Sequence, residues 1–310
     1  MGRIAYIFPG QGSQSVGMGK ELFDNFATAR EVYKAADDAL GFKLSEMCFS
    51  GTEADLQLTA NTQPAILTTS IAAYRAALSE GLPVPEAVAG HSLGEYSALV
   101  AAGTIDLADA VRTVRKRGTY MQEAVPVGVG AMAAILGLDA IALEAGCQEA
   151  AQGEVCSPAN INSPSQVVIA GNANAVDRAC EILKEKGAKR AIKLNVSAPF
   201  HCALMMPAQE RLAADLGTVQ YGEFGFPVFH NVDAIANTEA GEVKAKLTEQ
   251  VSSPVKWLQT IESMSASGID KFIEIGPGKV LTGLVRQINK EVSFANIEDS
   301  TSLRNTIDTL

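Results

Sequence analysis

Positive charge, cysteine and long apolar runs are all scarce in this chain. Its 310 residues carry 25 Lys and Arg against 35 Asp and Glu, and the resulting charge of −10 argues against nucleic-acid binding. The five cysteines are odd in number and widely spaced, so they match neither a zinc site nor a disulfide framework and indicate a reducing compartment. No stretch approaches the roughly 20 apolar residues of a membrane span, and no signal peptide precedes the apolar segment Ile4–Phe8. We therefore predict a cytoplasmic protein that binds no metal, nucleic acid or membrane.

One pentapeptide, Gly90-His91-Ser92-Leu93-Gly94, has the pattern of a nucleophile elbow. It lies between a predicted buried strand, residues 87–89, and a predicted helix, residues 95–102, that Gly103 ends. The glycines leave room for a sharp turn that projects the serine hydroxyl, while the start of the helix offers N–H groups to an oxyanion. The pattern predicts that Ser92 is a nucleophile.

Histidine is also scarce, and a serine hydroxyl needs a base to become a good nucleophile. The chain contains three histidines: His91, His201 and His230. His91 adjoins Ser92, but neighbouring side chains on a turn diverge, and His230 is better explained as a polar residue at the end of a strand. His201 lies in a Pro-containing loop where a cleft would open and is the preferred base, although a capping role also explains it.

A glycine-rich turn, Pro9-Gly10-Gln11-Gly12-Ser13-Gln14, follows the first predicted strand. A dinucleotide fingerprint would need glycine in place of Ser15, and a P-loop ending at Gly19-Lys20 would need Ser or Thr in place of Glu21. Both phosphate motifs are therefore excluded. The turn is expected to bring its backbone or Gln11 close to another group.

Alternating strand and helix patterns predict an α/β fold. Apolar residues from Leu22 to Leu40 recur at spacings of four and three, which predicts one amphipathic helix, and a strand-like run spans residues 226–231. Between residues 129 and 196 the predicted order is strand, helix, strand, strand, helix, strand, and the last strand covers residues 190–196. This order is typical of a ferredoxin-like βαββαβ unit.

The predicted architecture has two parts. Residues 1–126 and 199–310 are expected to form a large α/β-hydrolase-like domain with a mainly parallel sheet. Residues 127–198 are expected to form an inserted ferredoxin-like small subdomain.

A predicted amphipathic helix downstream of Gly103 carries four cations. Arg112 and Lys116 point away from its apolar stripe, while Arg115 and Arg117 lie on opposite flanks of the stripe. Periodicity does not choose between the two flanking arginines as a cation that faces a substrate. For either arginine, a side-chain stem that lies over the core is the simpler explanation.

Five motifs occur together in one order and carry a resemblance to a known family. They are Pro9-Gly10-Gln11-Gly12-Ser13-Gln14, Gly90-His91-Ser92-Leu93-Gly94-Glu95-Tyr96, Arg117-Gly118, Ser197-Ala198-Pro199-Phe200-His201 and Glu274-Ile275-Gly276-Pro277-Gly278. From about residue 3 to its end, the chain resembles the family of malonyl-CoA:acyl carrier protein transacylases, the acyltransferases of bacterial fatty-acid synthesis. The resemblance implies an enzyme, and we expect it to be a monomer that needs no cofactor. Such an enzyme moves a malonyl group from malonyl-CoA to the phosphopantetheine thiol of acyl carrier protein.

The resemblance also implies roles for individual residues. Ser92 would carry the malonyl ester and His201 would act as the base, oriented by the main-chain carbonyl of Gln250 rather than by an acidic side chain. Backbone N–H groups of Gln11 and Leu93 would form the oxyanion hole.

In the same family pattern, Arg117 clamps the carboxylate of the substrate, which decides between Arg117 and Arg115. Gln63, His91 and Phe200 complete the implied substrate site. The Phe200 ring would leave little space for a branching methyl group, although simple core packing also explains it.

An acidic carrier protein, which is a property of the family, requires a locally basic docking surface. The candidates are Arg112, Arg115 and Lys116 on one helix, and the run Lys184, Lys186, Lys189 and Arg190. Lysines near the end of a helix also suit its dipole.

Two alternatives stay open on the residues alone. A serine esterase or thioesterase of the α/β-hydrolase type would add an acidic triad member between the serine and the histidine. A non-catalytic homologue that binds acyl carrier protein would form no acyl-enzyme.

Overall fold

The computed structural model describes residues 2–196 and 198–310, so Ser197 of the predicted loop lies outside the described residues. In these two ranges the strands are, in chain order, β1 (Ile4–Phe8), β2 (Ala87–Gly90), β3 (Gly130–Leu136), β4 (Cys156–Ser163), β5 (Gln166–Asn172), β6 (Arg190–Lys193), β7 (Val228–Phe229), β8 (Ala236–Asn237), β9 (Lys271–Ile275) and β10 (Ser293–Ile297).

The helices of the same residues surround two sheets. In chain order they are α1 (Lys20–Asn25), α2 (Ala27–Leu40), α3 (Leu44–Ser50), α4 (Glu53–Gln57), α5 (Thr59–Ser79), α6 (Gly94–Ala101), α7 (Leu107–Glu123), α8 (Ala140–Ala151), α9 (Ala173–Glu185), α10 (Met206–Leu216), α11 (Ala240–Gln250), α12 (Trp257–Ala266), α13 (Val280–Ile288) and α14 (Ser300–Ile307). Within the described ranges, none of these helices is long and apolar enough to cross a membrane.

The larger sheet has the order β10-β9-β1-β2-β7-β8 among the described residues. Its strands run parallel except for β8, which pairs antiparallel with β7. Alternate residues of β1 enter two cores: Tyr6 and Phe8 pack on one face, and Ala5 and Ile7 pack on the other. Helices cover both faces, which is why β1 is a continuous apolar run.

The smaller sheet is antiparallel, with the order β4-β5-β3-β6 in the described part of the chain. Helices α8 and α9 pack against it through a separate core that includes Ile135, Leu143, Ile169 and Leu183. This order and the βαββαβ sequence are those of a ferredoxin-like unit, so the predicted fold class is confirmed.

The prediction of one helix from Leu22 to Leu40 is wrong. Phe26 is extended (φ −120°, ψ 124°) and separates α1 from α2. The guanidinium of Arg30 donates to the carbonyls of Phe23 and Asp24, both at 3.0 Å, and so satisfies groups that a continuous helix would have paired internally. The apolar stripe continues across the break, which is why the sequence pattern missed it.

Two predicted strands are shorter than expected. The run at 226–231 contributes only Val228–Phe229 among its described residues, since His230 and Asn231 turn their side chains toward Glu95 and the elbow. The strand predicted at 190–196 ends at Lys193. The N–H of Leu194 still donates to the carbonyl of Met132 in β3 at 2.9 Å, and Leu194 and Val196 line a cavity. The short elements α3, α4 and β8 were not predicted.

Candidate active site

The elbow glycines are required by close backbone contacts. A Cβ on Gly90 would lie 1.9 Å from the backbone carbonyl of Gly94, and a Cβ on Gly94 would lie 2.1 Å from the carbonyl oxygen of Phe8. These distances leave no room for a side chain, so the chain passes from β2 to α6 in a single tight turn. Ser92 sits at its apex with a left-handed backbone (φ 51°).

The hydroxyl of Ser92 meets a neutral imidazole. The Nδ1–H of His201 donates to the main-chain carbonyl of Gln250 at 2.8 Å. This contact fixes the tautomer, so Nε2 has a lone pair that accepts the proton of Ser92 Oγ at 2.7 Å. A carbonyl stands where a triad hydrolase has a carboxylate, as the resemblance implied.

Burial lowers the pKa of His201 to about 3, and the positive charge of Arg117 acts in the same direction. Since this pKa lies far below neutral pH, the imidazole is unprotonated and able to accept a proton there. The main-chain carbonyl of Gln250 opposes the shift by favouring the protonated ring.

The backbone N–H groups of Gln11 and Leu93 have no hydrogen-bond partner in the described part of the chain, and both residues line the same cavity as Ser92. The turn after β1 is held against the elbow, because His91 N–H donates to the carbonyl of Phe8 at 3.0 Å. A Cβ on Gly10 would lie 2.4 Å from the carbonyl oxygen of His91. The glycine therefore permits the close approach of this turn to the elbow.

Arg117 is almost completely buried beside Ser92. One Nη donates to Gln63 Oε1 at 2.8 Å, and the other donates to Gln250 Oε1 at 2.9 Å and to Ser92 Oγ at 3.1 Å. Its Nε has no partner, and the guanidinium forms no ion pair with any carboxylate of the described residues. Burial lowers the pKa of Arg117, yet guanidinium groups stay charged in proteins.

The structure separates the two arginines that periodicity left equivalent. Arg115 donates to the carbonyl of Ala60 and to Asn61 Oδ1, and its guanidinium lies over the ring of Phe42. Arg112 and Lys116 are exposed, as predicted. Of the four cations on α7, Arg117 is the one in the site.

A cavity of about 120 Å³ opens above Ser92 and is lined by Gln63, His91, Phe200 and Met132, among others. A second cavity of about 240 Å³ adjoins it between the two sheets and shares Gln11, His91, Asn160 and Leu194 with the first. The structure thus places all the predicted substrate-binding side chains at one opening.

His91 is turned away from the role of base. Its Nε2 pairs with Asn162 Oδ1 at 2.9 Å, and its ring packs against Trp257. Burial lowers the pKa of His91.

Three side chains support the elbow, and none of these side-chain roles was predicted. Asn231 Oδ1 accepts from the Ser92 N–H at 2.7 Å, and its Nδ2 donates to the carbonyl of Gly90 at 2.8 Å. Gln250 Nε2 donates to the carbonyl of Ser92 at 2.9 Å. The carboxylate of Glu95, directly after the elbow, accepts from Gln250 Nε2 and from the Asn231 N–H. Glu95 belongs to the family motif that contains the elbow, which was a signal for its importance.

The residues that the structure describes contain no group of His, Cys, Asp and Glu that could hold a metal ion. All five cysteines are free and buried.

Comparison with known proteins gives full-length matches. The family model described as "Acyl transferase domain" matches residues 5–305. The malonyl CoA-acyl carrier protein transacylase of Bacillus subtilis is 49% identical over 311 residues, covering 100% of this chain and 98% of its own. The Escherichia coli K12 protein of the same name is 46% identical, with 98% of each chain covered.

Solved structures agree with these matches. The malonyl CoA-acyl carrier protein transacylase from Coxiella burnetii has a TM-score of 0.98 at 42% identity, covering 100% of this chain and 98% of its own. A malonyl-transacylase in complex with its type II PKS acyl carrier protein has a TM-score of 0.97 at 45% identity, covering 99% of this chain and 100% of its own.

Proposed function

Because this chain belongs to the acyl transferase family, we propose that it transfers a malonyl group from malonyl-CoA to the phosphopantetheine thiol of acyl carrier protein, for fatty-acid chain elongation. The proposal rests on the position of a buried guanidinium that forms no ion pair within the described residues. It lies beside the nucleophile, with Arg117 Nη2 3.1 Å from Ser92 Oγ. One methylene separates the carboxylate of a malonyl group from its thioester carbonyl. A clamp for that carboxylate must therefore lie next to the attacking oxygen.

In the first half-reaction, Ser92 Oγ attacks the thioester carbonyl while His201 Nε2 takes the hydroxyl proton. The oxyanion accepts hydrogen bonds from the N–H groups of Gln11 and Leu93, and each such donor contributes roughly 10²–10³ in turnover. The tetrahedral intermediate then breaks its C–S bond, the imidazolium protonates the coenzyme A thiolate, and a malonyl ester remains on Ser92.

The second half-reaction reverses these steps with a new thiol. His201 takes the proton of the carrier's phosphopantetheine thiol, and the sulfur attacks the ester. When the C–O bond breaks, the proton returns from the imidazolium to Ser92 Oγ. Base catalysis of this kind contributes about 10²–10⁴ in rate.

Arg117 supplies the preference for an acyl group that bears a carboxylate. Gln63 and Gln250 hold the guanidinium from one side, and both are neutral. A carboxylate can therefore form charge-assisted hydrogen bonds without competing with an internal anion. An acetyl or long acyl chain would leave the cation unpaired.

The alternative function, a serine esterase or thioesterase, has less support. The imidazole of His201 is oriented by a main-chain carbonyl, and an esterase has no use for a buried arginine at its nucleophile. We further propose that the protein works in the cytoplasm and without a cofactor, which is consistent with five free, buried thiols.

The test is intact-protein mass spectrometry after exposure to malonyl-CoA without an acceptor. The protein should gain the mass of one malonyl group, and peptide mapping should locate it on Ser92. Ser92→Ala should stay unmodified, whereas Ser165→Ala, at an exposed serine, should be labelled like the parent.

Adding acyl carrier protein should then remove the label. Accumulation of free malonate without an acceptor would indicate a hydrolase. A protein that never acquires the label would be a non-catalytic homologue.

A further inference from the structure

Glu95 is a fully buried carboxylate in the first turn of α6, directly beneath the nucleophile. Its Oε1 accepts from His230 Nδ1 at 2.6 Å. Its Oε2 accepts from the Asn231 N–H at 2.8 Å and from Gln250 Nε2 at 2.9 Å. The half-reactions described above do not use this carboxylate.

The imidazole that contacts Glu95 does not supply a positive charge. Asn237 Oδ1 accepts from the Glu239 N–H at 2.8 Å, which fixes the orientation of its amide. Asn237 Nδ2 consequently faces His230 Nε2 at 3.2 Å and donates to it. With Nε2 accepting, His230 carries its proton on Nδ1 and is neutral.

Arg117 is the one Lys or Arg side chain that is buried among the described residues, and one amide joins it to Glu95. Gln250 Oε1 accepts from Arg117 Nη2 at 2.9 Å, and Gln250 Nε2 donates to Glu95 Oε2 at 2.9 Å. The amide cannot be reversed, since its nitrogen also donates to the carbonyl of Ser92. Its oxygen thus faces the guanidinium and its nitrogen faces the carboxylate.

We propose that Glu95 is the buried countercharge of Arg117, coupled to it through the side chain of Gln250, and is a positioning residue for the carboxylate clamp. A buried charge without compensation is costly, so Glu95 stabilises the guanidinium in the empty site. The intervening amide keeps the two charged groups apart. A direct contact would fill the clamp with an internal carboxylate and exclude that of the substrate.

The test is a double-mutant cycle in thermal unfolding, measured on the full chain without any substrate. It compares the parent protein with Glu95→Gln, Arg117→Met and the double variant. Glu95→Gln keeps the shape and removes the charge. When Arg117 is present, Glu95→Gln should lower the Tm by about 5 °C, because the buried guanidinium loses its countercharge. In the Arg117→Met background the same substitution should lower the Tm by less than half as much.

Glu274→Gln is the matched control. Glu274 is also fully buried and accepts from the N–H groups of Leu281 and Thr282, with no contact to Arg117. Its effect on Tm should be the same in both backgrounds. A purely structural role of Glu95 would give this additive result too, and additivity at Glu95 would overturn the proposal.

The cycle remains decisive if Glu95→Gln does not fold. Recovery of a folded protein on adding Arg117→Met would support the coupling, whereas failure of the double variant to fold would refute it. The inference rests on the proposed function for the meaning of the clamp. The cycle itself uses no substrate, so its outcome is separate from that of the malonyl-labelling experiment.

Discussion

At the scale of single residues, the central feature is a buried guanidinium that no carboxylate in the described part of the chain contacts. Burying a charge in this way is unfavourable unless polar groups satisfy it. Gln63 and Gln250 satisfy two of the nitrogens of Arg117, and Nε has no partner among the described residues. The site is thus arranged to receive an anion.

Replacing Arg117 by alanine should separate charged from uncharged acyl donors. We expect kcat/KM for malonyl-CoA to fall by about a hundredfold or more, since each charge-assisted hydrogen bond contributes about 1.5–3 kcal/mol. Transfer from acetyl-CoA should be spared or improved. Arg115→Ala is the control on the same helix and should leave the ratio of the two donors unchanged. Equal losses for both donors in Arg117→Ala would refute the clamp.

The pH dependence of acylation should report the same cation. Because burial and Arg117 hold the pKa of His201 at about 3, the base is lost only as the pH falls through that value. Arg117→Met removes a positive charge and should raise this pKa, which moves the acid limb of single-turnover acylation by acetyl-CoA to higher pH. Arg115→Met should not move the limb. An unchanged limb in Arg117→Met would show that Arg117 does not act on His201.

The same shift has a consequence for stability. Between pH 3 and the ordinary pKa of histidine, the unfolded chain binds a proton at His201 that the native protein does not. The lowered pKa of His201 therefore makes a contribution to stability that is fully present above the ordinary pKa of histidine and is lost on acidification.

The sequence predicts some of these residues better than others. Ser92 lies in a local motif, so its environment could be inferred from neighbours in the chain. The choice of Arg117 over Arg115 depended on the family pattern, because both flank the apolar stripe of α7. Asn231 reaches Ser92 from 139 positions away through one side-chain contact, and such a contact leaves no periodic signal.

At the scale of elements, the turn after β1 is pressed against the elbow. Adding a methyl group at Gly10 must displace one of the two, since the contact with the His91 carbonyl would be 2.4 Å. Gly10→Ala should therefore move the N–H of Gln11 and lower kcat by roughly 10²-fold, with a smaller change in KM. Gly241→Ala, in α11 with open space around it, is the control and should retain full activity. Unchanged kcat in Gly10→Ala would contradict the oxyanion assignment.

Of the two predicted docking surfaces, we favour the basic run around β6. On α7, Arg112 and Lys116 pair with Asp109 and Asp215. By contrast, Lys189 and Arg190 are exposed and pair with no carboxylate in the described ranges. Unpaired cations are available to an acidic partner.

Reversing the charge of Lys189 and Arg190 to glutamate should raise the KM for acyl carrier protein by about tenfold and weaken its dependence on salt. The KM for malonyl-CoA should not change. Arg112→Glu is the control on α7 and should have a smaller effect. A loss confined to the α7 variant would assign docking to that helix.

The elements themselves were predicted where their pattern is long and regular, as in β1, α7 and the βαββαβ unit. Breaks and short segments were not. The interruption at Phe26 depends on the guanidinium of Arg30, which satisfies the carbonyls that the break frees, and the spacing of apolar residues does not reveal this contact.

At the scale of the whole molecule, the smaller sheet is joined to the segment that precedes α12. Val255 N–H donates to the carbonyl of Ala159 at 2.8 Å, and Ile161 N–H donates to the carbonyl of Val255 at 2.9 Å. These bonds cross between the two predicted parts of the chain. The division at residues 127–198 remains our proposal for the limits of the small subdomain.

Unfolding should accordingly be one cooperative transition. Trp257, the single tryptophan, is buried two residues after Val255 and reports on the larger sheet by fluorescence. Its transition in denaturant, under reducing conditions, should coincide with that of far-UV circular dichroism and with loss of amide protection in β5. Earlier exposure of β5 would show that the small subdomain unfolds independently.

Gln250 holds His201 with its main-chain carbonyl and Arg117 with its side-chain oxygen. One residue therefore positions both the base and the carboxylate clamp, and the two cannot be adjusted separately there. Substituting Gln250 to admit a different acyl donor would change the donor preference and would also slow acyl transfer. Met132 and Leu194 line the same opening from the other sheet and hold neither group. Redesign for bulkier extender units is therefore best begun on that opposite wall.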